Sequence, residues 1–248
     1  MIRDPLVRAL FEAGAHFGYS KTRNHPSTKY QVFGYKNRSA IIDLEQAVAA
    51  LERAKEFLAK LGAEGKTILL VGNKDEARGL VEKAAQGLDL PYVASRWLGG
   101  TFTNFSQIKS RIDRLADLKQ KRERGELSVY TKKEQLGFDE EIRKLERYLA
   151  SLSTLSALPA AVVVVDSAHE AIVVAEARTV GIPVVSLSNT DCDLRGIAYP
   201  IVVNEGSAAT IKLVLDELTH SYQEGRSRAQ APAEVPAGTP TLASELAH

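Results

Sequence analysis

Alternating strand and helix patterns predict an α/β fold, a parallel sheet sandwiched between helices. Three observations carry this. Thr67-Ile68-Leu69-Leu70-Val71 and Ala161-Val162-Val163-Val164-Val165 are short and apolar on both faces, as strands covered on two sides should be. Each gives way to polar residues and then to a helical pattern, one ending near Gln86 and the other spanning about residues 169–180. Between about residues 104 and 156 the alternation stops, and two helical seams replace it.

In chain order, residues 40–42 read as a weak strand and residues 44–61 as a long helix before the first strong strand. Gly72-Asn73-Lys74-Asp75 then leads into a helix, with Gly72 expected as a tight-turn glycine. Residues 92–94 form a second weak strand. Ile108, Ile112, Leu115 and Leu118 recur at helical spacing. After a turn near Gly125, Phe138, Ile142, Leu145, Leu149 and Leu152 recur at alternating four and three, a heptad seam. Two such helices with a short polar connection should fold back as an antiparallel coiled-coil hairpin that projects from the body. Gly181 stops the helix after the second strong strand, and Pro183-Val184-Val185-Ser186-Leu187 follows as another strand. Pro200-Ile201-Val202 is a further weak strand, and a helix over about residues 207–222 closes the sheet domain. Residues 225–248, with Pro232, Pro236 and Pro240, read as a disordered tail. The expected parts are a basic N-terminal arm (1–38), a sheet domain (39–103 and 157–224), an inserted hairpin (104–156) and the tail (225–248).

Composition removes several classes of function. The 248 residues are 44% hydrophobic and 25% charged, a globular mixture. No run approaches the ~18–20 apolar residues of a membrane span. The N-terminus lacks the apolar stretch of a secretory signal, and a single cysteine, Cys192, can form neither an internal disulfide nor a multi-cysteine zinc site. A cytoplasmic setting is the simplest expectation. The net charge of +1 hides an asymmetry: residues 1–38 carry +5 and residues 149–248 carry −6. Such a chain can be oriented on a polyanion.

Catalytic and cofactor patterns are weak. The first strong strand-to-helix turn lacks both the Gly-x-Gly-x-x-Gly fingerprint and a Gly-Lys-Ser/Thr ending, and its Asp75 and Glu76 would repel a phosphate. Cys192 is flanked by Asp191 and Asp193, which suppress a thiolate. Asp166 is read as a helix cap. His16 and His25 have neither a helical spacing nor a carboxylate cluster for a metal. No cofactor and no metal are expected.

Nucleic-acid patterns are stronger. Lys21, Arg23, Lys29, Lys36 and Arg38 lie among Tyr19, Tyr30, Phe33 and Tyr35, with no acid between Phe17 and Arg38. Cations neutralise phosphates, and rings stack on exposed bases. The alternative is a solvated loop whose aromatics enter the core. The hairpin adds Lys109, Arg111, Arg114, Lys119, Lys121, Arg122, Arg124, Lys132 and Lys133, with acids interspersed. Trp97 and the pair Gly99-Gly100 precede it, and Trp97 and Phe105 are expected to pin the hairpin to the body.

Ala15-His16-Phe17-Gly18, Ile41-Ile42-Asp43-Leu44-Glu45, Pro91-Tyr92-Val93, the run from Arg96 to Phe105, Tyr130-Thr131-Lys132-Lys133-Glu134, Gly181-Ile182-Pro183-Val184-Val185 and Asp191-Cys192-Asp193 follow one another in an order that resembles the bacterial small-subunit ribosomal protein two family. The resemblance runs from about Pro5 to Tyr222. It departs at Tyr19, at Asn24-His25, at residues 156–159 and at Val202-Val203. It implies a three-layer flavodoxin-like domain with an inserted helical hairpin, and a non-enzymatic component of the small ribosomal subunit. It also implies contacts with small-subunit rRNA and other small-subunit proteins, docking of ribosomal protein one, and no membrane or small-molecule partner. Arg96 joins the expected rRNA-binding residues on this ground. Two other readings stand beside it: an α/β enzyme or sensor for a nucleotide or sugar phosphate, and a helical scaffold that binds proteins only.

Overall fold

The structure, a computed structural model, describes residues 4–230. Its centre is a five-stranded parallel sheet of β4 (Ile68–Val71), β5 (Tyr92–Val93), β6 (Ala161–Val165), β7 (Val184–Ser188) and β8 (Tyr199–Val202). Its spatial order is β5-β4-β6-β7-β8. Counted along the chain, that is 2-1-3-4-5, the flavodoxin-like order, with the topological switch between β4 and β6.

The period of two along each strand feeds two cores. Ile68, Leu70, Val163, Val165, Val185 and Leu187 face α2 (Leu44–Ala63), α3 (Asp75–Gln86) and α7 (Ala208–Gln230). Leu69, Val71, Val162, Val164 and Val184 face the opposite side. There they meet Val173 and Ala177 of α6 (Ala171–Val180), together with Trp97 and Phe102. Ile108 and Ile112 of α4 (Phe105–Glu123) and Leu149 of α5 (Lys132–Leu149) complete that core. The base of the two inserted helices is therefore part of the sheet's cover. Only Leu115, Leu118 and Ile142, with Phe138 and Leu145 beside them, form a cluster belonging to the helix pair alone. The inserted segment is therefore not separate from the body at its base, where Ile108, Ile112 and Leu149 pack with the sheet.

The weak strand over residues 40–42 does not join the parallel sheet. As β3 (Ser39–Ile42), it is the middle strand of a separate antiparallel sheet with β1 (Phe17–Ser20) and β2 (Val32–Lys36). The sequence hides β1 and β2 because their outward residues, Phe17, Phe33 and Tyr35, are themselves aromatic, and register irregularities break the alternation. An N-terminal helix, α1 (Pro5–Glu12), precedes them. The sheet seats on the parallel one through the loop after β7. The His25 amide donates to Thr190 O at 2.7 Å, the Thr28 hydroxyl to Thr190 O at 2.8 Å and the Tyr19 amide to Thr190 Oγ1 at 3.0 Å.

Two glycines have other roles than expected. Gly72 is no turn glycine. A Cβ there would meet Val81 Cγ2 at 3.0 Å and Val165 Cβ at 3.2 Å, so its bareness lets α3 lie close on the sheet. Gly225 does not begin a tail, because α7 continues to Gln230. A Cβ on Gly225 would strike the Ala59 backbone, and one on Gly62 the Tyr222 carbonyl, so the two glycines form a notch where α2 and α7 cross. The rest of the expected tail, residues 231–248, lies outside the described residues.

Candidate nucleic-acid interface

The small antiparallel sheet gathers the acid-free segment. Lys36-Asn37-Arg38-Ser39 closes β2 onto β3, with Asn37 at φ 50° and Arg38 at φ 68°. Two successive positive φ values match the twist of a two-residue hairpin turn. The Arg38 carbonyl, accepting the Lys21 amide at 3.1 Å, steadies this turn. Lys36 and Arg38 are thereby carried to an exposed tip, and Lys29 is exposed on a 3₁₀ turn (Pro26–Gln31). Tyr30 and Phe33 are each 80% exposed and Tyr35 50%. These three rings are not in the core, so a loop with buried aromatics does not describe them. Lys21 stands 5.5 Å from the Tyr35 ring centroid.

Tyr19 and Arg23 differ. Arg23 lies 4.1 Å over the half-buried Tyr19 ring and pairs with Asp191 at 3.1 Å. The Tyr19 hydroxyl donates to Glu205 at 3.0 Å, and burial together with that carboxylate pushes its pKa up to about 12.

Along the helix pair, Arg96, Lys109, Arg111, Lys132 and Lys133 are exposed. Lys132 and Lys133 open α5 behind a capping box of Thr131 and Glu134. Lys109 donates to Ser156 O at 3.1 Å. Arg114 is committed within the protein, pairing with Glu141 at 3.3 Å. Sequence reasoning passed over Arg143, Lys144 and Arg147. All are exposed, and they enter none of the ion pairs among the described residues, which between α4 and α5 use Arg114–Glu141 and Lys119–Glu146.

The joint turns on a residue the sequence reading missed. One oxygen of buried Glu176 accepts from Trp97 Nε1 at 3.2 Å and Gly100 N at 2.7 Å; the other accepts from Phe102 N at 2.9 Å and Thr103 N at 3.4 Å. The whole turn from Trp97 to Thr103 is folded around one carboxylate. Gly100 needs its glycine, with φ at +91°, whereas Gly99 has an ordinary φ and open space beside it. Trp97 packs edge-on against Phe102 at 4.9 Å, and Phe105 is half-buried against the same cluster. The signal for Glu176 was an acid at a core-facing spacing, between Val173 and Ala177.

The crevice at the switch point is filled by the chain itself. Lys74 reaches Asp166 at 3.2 Å and Glu205 at 3.3 Å, and the Asn73 amide donates to Glu170 at 3.1 Å. Burial disfavours the Lys74 charge, but Glu205 and Asp166 outweigh it and raise its pKa. Asp166, at φ 65°, accepts the Ala168 and His169 amides. Burial, with Asp166 and Asp191 nearby, pushes the Cys192 thiol up to about 11. His16 is stacked at 4.5 Å on Phe11, and His25 Nδ1 accepts the Ser27 amide at 3.2 Å.

A family model described as Ribosomal protein S2 matches residues 10–225. The chain is similar to the small ribosomal subunit protein uS2 of Roseiflexus castenholzii, with 38% identity over 225 residues, 91% of this chain and 86% of that protein. It is equally similar to the protein of the same name from Syntrophobacter fumaroxidans, with 38% identity over 244 residues, 94% of this chain and 89% of that one.

Proposed function

This chain belongs to the ribosomal protein S2 family, and from that premise we propose that it is a structural, non-catalytic component of the small ribosomal subunit. It works on the ribosome in the cytoplasm and holds small-subunit rRNA with two surfaces. The first is the small sheet, where Lys21, Lys29, Lys36 and Arg38 meet phosphates, Arg23 adds its charge from its pairing with Asp191, and Tyr30, Phe33 and Tyr35 offer faces to unpaired bases. The second is the helix pair and its root, with Arg96, Lys109, Arg111, Lys132 and Lys133 facing the polyanion and Arg114 bracing the helices. The observation that carries the reading is the exposure of Tyr30 and Phe33, 80% each, inside a segment without one acid. A core role cannot account for such rings.

Contacts with other small-subunit proteins, among them docking of ribosomal protein one, fall to the rest of the surface. The −6 charge of residues 149–248 supports that division, because it suits protein rather than RNA contact. The test is co-sedimentation with small subunits lacking this protein, at rising salt. Binding should fall steeply, and a Lys29→Gln, Lys36→Gln, Arg38→Gln variant should flatten the slope of log affinity against log salt by about 2–3. Salt-independent binding would overturn the reading.

A further inference from the structure

A cleft of about 230 Å³ lies where the base of α5 meets the body. Arg78 of α3 and Arg147 of α5, two cationic residues on separate elements, both line it. Arg78 is fixed by the chain itself: Nε donates to Ala94 O at 3.0 Å and Nη2 to Asn73 O at 3.2 Å. Its carboxylate partner is Asp75, at 3.4 Å and 90% exposed, which screens little of the charge. Arg147 lies 5.5 Å from the Tyr148 ring centroid. Its carbonyl accepts the Ser95 hydroxyl at 3.5 Å, which ties α5 to the body. The Ser95 and Ser151 side chains also border the space.

Two acids share the lining, and both are occupied. Glu82 accepts from the Tyr92 hydroxyl at 3.0 Å and from Gln86 at 3.2 Å. Glu146 is held by Lys119 at 2.8 Å. Outside the cleft, Arg143 stands one helical turn from Arg147, and Arg96 is next in the chain to Ser95. Arg143 and Arg147, four residues apart, share one face of α5.

We propose that this cleft seats a backbone phosphate of the RNA strand that follows the helix pair, gripped between Arg78 and Arg147. The proposal rests on the rRNA-binding reading above. A guanidinium presents a planar fork of donors that matches two phosphate oxygens. Arg147 offers that fork, and Arg78, held through Nε and Nη2, adds its charge and its Nη1 from the body.

The test places a tethered iron chelate on Ser151→Cys in the full-length protein, bound to small subunits otherwise lacking it. Native Cys192 is buried and stays unlabelled. A second probe sits on Thr22→Cys, at the small sheet. Hydroxyl radicals from residue 151 should cut rRNA, which separates a backbone phosphate from a free phosphate ion that leaves no strand to cut. Arg147→Gln should lower the salt slope of binding by about 0.7–0.9, one contact's worth. Cuts from residue 22 without cuts from residue 151 would overturn the cleft proposal and leave the rRNA reading standing. Cuts from 151 with an unchanged slope in Arg147→Gln would also overturn it, because the strand would pass without being gripped. No cuts from either probe and no co-sedimentation would remove the rRNA reading, and the cleft with it.

Discussion

Replacing Glu176 with glutamine should loosen the turn that carries the helix pair while the parallel sheet stays folded. The carboxylate accepts four N–H groups, two on each oxygen, at 2.7–3.4 Å. Glutamine keeps one acceptor and turns the other position into a donor. Whichever way the amide rotates, two N–H groups then face an NH2. The less damaging choice gives up Phe102 N at 2.9 Å and Thr103 N at 3.4 Å, one strong bond and one weak. A buried donor without an acceptor costs about 1–3 kcal/mol, so the substitution should cost about 2–4 kcal/mol in all. The assay is urea unfolding followed by the fluorescence of Trp97, the single tryptophan, beside far-UV circular dichroism. With a slope of ~2 kcal/mol/M, the fluorescence midpoint should drop by about 1–2 M, ahead of the dichroism. Wild-type midpoints in both signals would refute the reasoning.

Acid gives the same variant a second readout. Burial raises the Glu176 carboxyl, but the amides of Gly100 and Phe102, with Trp97 and Thr103, pull it net below its ordinary 4.5. A carboxyl depressed in the folded state adds stability that is present above its unfolded value and is lost as pH falls through the folded one. The advantage of wild type over Glu176→Gln should therefore shrink on acidification below 4.5.

Other outcomes follow from the same geometry. Gly62→Ala and Gly225→Ala each press a methyl into the backbone of the facing helix and should cost at least about 1–3 kcal/mol, read as a fall in melting temperature; unchanged melting would mean that α2 and α7 do not cross there. Gly100→Ala should cost about 1–2 kcal/mol, and Gly99→Ala close to nothing, by denaturant titration. The Cys192 thiol should resist alkylation at pH 8 until the protein is unfolded; because its folded pKa is raised from 9.0 to about 11, its contribution to stability is full below that window and is lost as pH rises through it. Excising residues 108–149 should unfold or aggregate the body by uncovering Leu69, Val162 and Val164, whereas a shorter excision of 115–142 should leave a body that melts cooperatively, its dichroism reduced only by the helical residues removed.

Much of this molecule is written locally. A run such as Ala161–Val165, apolar at every position, is a strand buried on both faces wherever it sits, and the spacing of Ile108 through Leu152 makes two helices whatever they touch. The absence of acids from Phe17 to Arg38 needs no structure to be seen, and the ordered motifs that identify the family are themselves sequence. What could not be read locally is what each face is pressed against. Periodicity says that Ile108 and Leu149 are covered, yet the same pattern serves a free coiled coil or a helix lying on a sheet, and only packing chose the sheet. Gly225, in a stretch that reads as tail, becomes intelligible only beside Ala59 of another helix. Glu176 meets its donors 73–79 residues earlier in the chain, a separation that leaves no mark in either segment alone. Short-range patterns set which residues turn inward. Partners far apart in sequence are set by the closing of the whole chain, because a buried carboxylate or a bare Cα is favourable only against the particular surface that completes it.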